Sequence, residues 1–268
     1  MKVLSIHDLS GFGRSSLTTI ISILSHLGHQ CVPAPTAIFS THTAISGYVS
    51  KDLSDILDDY INHYSSINID FDAIYSGFLS SSSQIESVIN SCKNFPNALV
   101  VIDPVMGDDN KIYKTYTPEI CNKMKELVKY ADIITPNITE AKILLDMDIT
   151  QTINKKEQVL DIIDLLLIFG IEKIIITGID FNDDNITTAF YENGQTNFYQ
   201  NKRINSYFPG TGDLFTSILI GFLLNGHSIS ESIKKSADFV CESINYTLNL
   251  GTNNLFGVEF EKLLPNLK

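Results

Sequence analysis

Only two arginines, Arg14 and Arg203, occur in the 268 residues, and the formal charge at pH 7 is −12. A nucleic-acid partner calls for a basic face that neutralises phosphates. None is visible, so no nucleic-acid partner is expected. Any phosphate ligand has to be held locally, by backbone N–H groups, a helix N-terminus and a metal ion. Cysteine is sparse as well. Cys31, Cys92, Cys121 and Cys241 are widely scattered and form no CxxC. That argues against a zinc ribbon or a disulfide framework and fits a reducing cytosol, so a cytoplasmic location is expected. No apolar stretch reaches about 18 residues, and no membrane span is expected. The N-terminus begins on a strand-like run, Val3-Leu4-Ser5-Ile6, without a signal-type apolar region. Internal repeats, low-complexity linkers and abrupt changes of composition are all missing.

What remains is ordinary globular material, 44% hydrophobic and 19% charged, in a chain long enough to bury a large core without staples. Short apolar runs alternate with longer helical periods, as a mostly parallel α/β sheet requires. Strands are predicted at Lys2–His7, Cys31–Phe39, Ala73–Ser76, Leu99–Ile102, Ile133–Thr135 and Lys173–Thr177. Helices are predicted at Ser15–Leu27, Leu53–Tyr64, Ser82–Cys92, Pro118–Lys129, Thr139–Leu145 and Lys156–Phe169. In the last of these, Val159, Leu160, Ile162, Ile163, Leu166 and Leu167 keep helical spacing and Gly170 suits the C′ position. Asn193-Gly194 between Thr187–Tyr191 and Thr196–Gln200 marks a hairpin. Two long helices follow, at about Asp213–Leu224 and Ile229–Asn249. The order describes one αβα sandwich with right-handed crossovers, a single domain over residues 1–268.

The segment richest in chemistry is Phe208-Pro209-Gly210-Thr211-Gly212-Asp213-Leu214-Phe215. Glycine allows close backbone approach. The first amides of the following helix have no internal partner and form an anion site, with Asp213 at its mouth. Taken singly, Gly-x-Gly-Asp is also what a turn and an N-cap look like. Likewise Asp103-Pro104 is a strand-ending turn, Thr135-Pro136-Asn137 a loop entering a helix, and Glu140 a helix-start carboxylate. Asp103-Pro104 and Thr135-Pro136-Asn137 each lie at the C-terminal end of a predicted strand, where open α/β sheets bind ligands.

Together these segments resemble the ribokinase-like superfamily of small-molecule kinases, in family order and over nearly the whole chain. The resemblance implies a three-layer αβα sandwich around a central, mostly parallel sheet. It implies that Gly210, Thr211 and Gly212 form an anion hole for the transferred phosphoryl group and that Asp213 is the catalytic base. Ile102–Asp108 resembles the DPVxGD element of the vitamin B6 kinase branch, and Ala131–Glu140 its ADIITPNxxE element. The resemblance assigns Asn137 and Glu140 to a magnesium–phosphate network and Asp103 to the phosphates. Asp103 and Glu140 then stand nearest the Mg²⁺, which favours oxygen ligands and retained water. Thr135 and Thr177 fall to the nucleotide site, and the loop Gly107–Tyr116 to a flap over the nucleotide.

Phe39-Ser40-Thr41-His42-Thr43 is similar to the FSNHT element of pyridoxal kinases, with Thr41 in place of Asn. There the residues matching Phe39, His42 and Thr43 line the vitamer site. An aromatic ring suits stacking on a pyridine, and the polar pair suits its substituents. Phe78 stands where that family usually has Tyr. Asp8 stands where it has a substrate-touching Ser, and a carboxylate there can accept from the 3-hydroxyl or pair with the pyridinium nitrogen.

The resemblance implies ATP-dependent phosphorylation of the 5′-hydroxymethyl group of pyridoxal, pyridoxamine or pyridoxine, with ATP and Mg²⁺, by a homodimer; a monovalent cation stays open. The alternative is a hydroxymethylpyrimidine kinase of thiamine synthesis, whose substrate also carries an aromatic CH₂OH. Ser10–Ser16 lacks the third glycine of a dinucleotide fingerprint and is expected to be a turn lining the substrate pocket. His26 and His29 are expected to hold no metal.

Overall fold

A computed structural model describes residues 1–268. In chain order the elements are β1 (Lys2–Phe12), α1 (Ser16–His26), β2 (Gln30–Thr41), β3 (Ser50–Asp52), α2 (Leu57–Ser66), β4 (Ala73–Ser76), α3 (Ser82–Asn94) and β5 (Leu99–Ile102). Next come β6 (Gly107–Asp108), β7 (Lys111–Ile112), α4 (Pro118–Leu127), β8 (Ile133–Ile134), α5 (Ile138–Leu144), α6 (Lys156–Leu166) and β9 (Lys173–Ile179). The hairpin β10 (Asn185–Glu192) and β11 (Gln195–Lys202) precedes α7 (Thr211–Leu224) and α8 (Ile229–Leu250). Nine strands form one sheet in the order β11-β10-β9-β8-β5-β4-β1-β2-β3, while β6 and β7 pair separately. The pairs β1–β2, β5–β8 and β8–β9 are parallel. Antiparallel pairing occurs at the two ends, in β2–β3 and in β9–β10–β11. This is the mostly parallel α/β architecture expected, flanked by helices. No helix is long and apolar enough to cross a membrane.

The chain forms two compact units, residues 1–74 with 204–268, and residues 75–203. In the first unit β1 is buried almost continuously from Val3 to His7, as a parallel strand covered on both faces should be. Helix α1 buries Leu17, Ile20, Ile23 and Leu24 on one stripe. Helix α7 is buried from Leu214 to Phe222, polar residues included. Leu214, Ile218 and Phe222 join Phe239, Val258, Phe260 and Leu267 in one cluster. A Cβ at Gly221 would lie 2.3 Å from Leu27 Cδ1, so glycine there lets the two segments meet.

In the second unit the elements begin as their caps dictate. Ser81 accepts from the Gln84 amide, and Thr117 accepts from the Ile120 amide with Pro118 in the first turn. Asn137 and Glu140 close a reciprocal capping box on α5. Gly170 is left-handed at the expected stop after α6. Asn193 and Gly194 both have positive φ, which fits the two-residue hairpin turn their sequence signals.

Three differences from the sequence expectation matter for the site. Strand β1 does not end at His7 but runs through Ser10-Gly11-Phe12, because pairing with β2 resumes after an irregularity, with Leu9 opposite Ile38 and Phe12 opposite Thr41. Between His7 and Leu9 one residue, Asp8, faces two on β2, an arrangement that re-aims side chains. The segment Gly107–Tyr116 is not simply a loop: β6 and β7 form a small hairpin around Asp109-Asn110, both at positive φ. The short edge strand β3 carries no apolar alternation and gave no signal.

Candidate active site

The first unit gathers one set of the expected residues. Gly210 caps α7 at φ 82°. A Cβ there would sit 2.0 Å from the carbonyl oxygen of Arg14, so no other residue fits without moving backbone. The amides of Thr211, Gly212 and Asp213 form the open first turn of α7, the end of a helix that attracts anions. Thr211 Oγ1 donates back to Phe208 O at 3.3 Å.

Asp213 lies in this first turn with 16% of its side chain exposed. Its Oδ2 accepts from the backbone amide of Ser16 at 2.7 Å, and His7 Nδ1 lies 3.9 Å from Oδ1. Burial pushes its pKa up to about 7, the Ser16 amide opposes that shift, and the neighbouring charge of Asp8 adds to it. A carboxylate poised there can take a proton from an alcohol near neutral pH.

Asp8 is buried, and both of its oxygens are occupied. Oδ1 accepts from Ser16 Oγ at 2.7 Å and Oδ2 from Ser10 Oγ at 2.8 Å. Burial raises its pKa, and those two hydroxyls pull it back. Phe39 on β2 is half-buried and meets Tyr48 edge-on at 5.5 Å. Thr43 is exposed in the turn that follows. His42 is placed differently from a side chain free to reach a ligand. Its Nε2 lies 2.5 Å from Leu255 O, and its Nδ1 accepts from the Ala44 amide at 3.3 Å, so the ring ties the end of β2 to the segment Asn254–Phe256. His29, far from a surface metal site, is buried with Nε2 against Gly221 O.

The second unit gathers the other set. Asp103 ends β5, buried, its amide donating to Ser76 O at 2.8 Å. Glu140 is buried in the first turn of α5. Its Oε2 accepts from the Asn137 amide at 2.9 Å and its Oε1 from the Met106 amide at 3.2 Å. Burial, and next the charge of Asp103, raise its pKa well above the usual carboxylate range. Asn137 Nδ2 donates to Gly107 O at 2.9 Å, which ties α5 to the β6–β7 hairpin. Thr135 is buried at the end of β8, its amide donating to Ile102 O. Thr177 lies in β9, bridged to Asn137, its amide donating to Pro136 O at 3.0 Å.

The charge of Asp103 beside the buried Glu140 fits a divalent cation, whose charge would relieve the repulsion. No group of three acidic, His or Cys side chains is arranged to hold a metal. The donor set therefore suits Mg²⁺ that keeps most of its water and takes its other ligands from phosphate.

Three residues make contacts that the sequence assigned to none of them individually. Ser16 is left-handed at φ 49° and holds both Asp8 and Asp213. Lys142, only 1% exposed, donates to Asn110 Oδ1, Ile149 O and Gln151 O. Tyr116 lies edge-on to Phe78 at 5.9 Å, and its hydroxyl accepts from the Leu79 amide at 3.3 Å. A serine before an apolar helix or a lysine on one gives no sequence signal of this kind.

The phosphomethylpyrimidine kinase family model matches residues 18–257. The chain belongs to that family. Among its relatives, the pyridoxal kinase of Dictyostelium discoideum is 28% identical over 94% of this chain and 87% of its own. A Bacteroides thetaiotaomicron protein, provisionally named a phosphomethylpyrimidine kinase and solved with pyridoxal, is 35% identical. It superposes with a TM-score of 0.95 over 99% of this chain and 95% of its own. The pyridoxal kinase of Lactobacillus plantarum is 25% identical, with a TM-score of 0.92 over 99% of this chain and 96% of its own. The ribokinase-like fold that the sequence resemblance implied is thus the fold found here.

Proposed function

We propose that this protein is an ATP-dependent kinase that phosphorylates the 5′-hydroxymethyl group of pyridoxal or a sibling B6 vitamer. The observation that carries the reading is Asp213, a carboxylate with a pKa raised to about 7 in the open first turn of α7. As the substrate oxygen attacks the γ-phosphorus, its proton passes to Asp213. The new O–P bond forms while the bond to the ADP oxygen breaks. The anion hole of Gly210, Thr211 and Gly212, with the adjoining amide of Asp213, donates to the phosphoryl oxygens where charge develops. Asp103 and Glu140, with Asn137 positioning Glu140, would hold Mg²⁺, and that ion would supply neutralisation of phosphate charge. Thr135 and Thr177 are assigned to the nucleotide, and Asp8, Phe39, Thr43 and Phe78 to the vitamer, while His42 braces the end of β2. The match of one family model across residues 18–257 supports treating both compact units as one kinase domain. The four free cysteines support a cytoplasmic location, and the resemblance to pyridoxal kinases supports a homodimer.

The family's name supports a second reading, phosphorylation of hydroxymethylpyrimidine by the same machinery. Both are tested by following ATP consumption with Mg²⁺ and, separately, pyridoxal, pyridoxine, pyridoxamine and hydroxymethylpyrimidine. Turnover with a B6 vitamer supports the first reading. Turnover with hydroxymethylpyrimidine alone moves the protein to pyrimidine chemistry, and no turnover with any of them refutes both.

A further inference from the structure

Ser16 closes the Ser10–Ser16 segment expected to line the substrate pocket, and it touches both carboxylates of the first unit. Its amide is the first of α1 and donates to Asp213 Oδ2 at 2.7 Å, while its hydroxyl donates to Asp8 Oδ1 at 2.7 Å. It does so with φ at 49°, a left-handed backbone that a non-glycine residue rarely adopts and that persists only where surrounding contacts over-determine it. The residue is buried. Ser15 just before it is extended and makes no side-chain cap, so capping α1 does not account for the geometry.

We propose that Ser16 is a positioning residue that aims its amide at the base Asp213 and is locked in that pose by its hydroxyl bond to Asp8, so that the vitamer-facing carboxylate and the base are held by one residue. The proposal rests on the kinase reading above. Asp8 sits at the irregularity of β1, its other oxygen fixed by Ser10. The β1 irregularity therefore sets Asp8, Asp8 sets Ser16, and Ser16 sets Asp213. Such a relay gives the base its orientation before substrate arrives, which is what a proton transfer over a single hydrogen bond needs.

Two substitutions separate the halves of the relay. Ser16→Gly keeps the amide and accepts positive φ without strain, but loses the hydroxyl. Ser16→Ala loses the hydroxyl and also disfavours the left-handed backbone, so the amide turns away from Asp213. The charged and titratable groups facing Asp213 are His7 and Asp8, both on β1, and His42 at the end of β2 faces Asp8. All three are the same in both variants, so a difference between the variants reports the amide.

The experiment is the pH dependence of kcat and kcat/KM with pyridoxal and saturating MgATP, for wild type, Ser16→Gly and Ser16→Ala. In Ser16→Ala the acid limb is expected to move up by about half a pH unit or more, with kcat lowered about tenfold. In Ser16→Gly, which loses the lock but keeps an amide able to take positive φ, the limb is expected to move up by less than in Ser16→Ala while KM for the vitamer rises. An Ala variant with the wild-type limb, or a Gly variant shifted as far as Ala, overturns the proposal. If Ser16→Ala does not fold, Ser16→Gly decides alone, since either an unshifted limb or an unchanged KM then counts against it. A wild type inactive on every vitamer removes the kinase reading and this inference with it. An active wild type with unresponsive variants removes the inference only.

Discussion

Asp213 is the residue where stability and activity pull apart. Replacing it with Asn keeps the shape and removes the base, and kcat is expected to fall by about 10²- to 10⁴-fold in the vitamer assay. Its protonated form cannot accept a proton, so wild-type activity should rise with pH through about 7, read as the acid limb of the kcat profile. The same group acts in the opposite direction on folding. Because its folded pKa lies above the unfolded one, its contribution to stability is fully present below the usual carboxylate value and is lost as pH rises through about 7. Asp213→Asn should therefore raise Tm at pH 8 and leave it nearly unchanged at pH 4, measured by thermal denaturation at both values. The identity of this residue was legible in the sequence, since Gly-x-Gly-Asp opens an apolar helix. What holds it was not legible: a backbone amide 197 positions away and a left-handed serine leave no compositional trace.

At the scale of elements, periodicity and caps located nearly every helix and the buried strands. Ala73–Ser76 and Leu99–Ile102 fall where their apolar runs begin and end. The failures share one cause. Strand β1 extends past His7, and β6–β7 forms at all, because of partners distant in sequence or turn geometry rather than local pattern. The β6–β7 hairpin is moreover fastened to α5 at three points: Asn137 to Gly107 O, Thr139 Oγ1 to the Asn110 amide, and Lys142 to Asn110 Oδ1. Lys142 also satisfies two loop carbonyls. Lys142→Met should leave those acceptors without a donor and cost about 2–3 kcal/mol, read as a lowered Tm. A Tm within a degree of wild type would show that water replaces the ammonium group.

For the whole molecule, the −12 charge that argued against nucleic acid also works against the proposed nucleotide. Encounter with MgATP should be slowed at low ionic strength and recover as salt screens the repulsion, so kcat/KM for ATP should rise between about 20 and 200 mM salt. A falling value would reveal a local positive field strong enough to override the net charge. Gly210, finally, is enforced by the Arg14 carbonyl 2.0 Å from where its Cβ would lie, not by anything it binds. Gly210→Ala should cost about 2 kcal/mol or more of stability, seen in thermal denaturation, apart from any effect on catalysis. A descendant of this protein that had abandoned phosphoryl transfer would still be obliged to keep that glycine in order to fold. The aspartate three positions later carries no such obligation, and its survival or loss is what would distinguish a working lineage from a retired one.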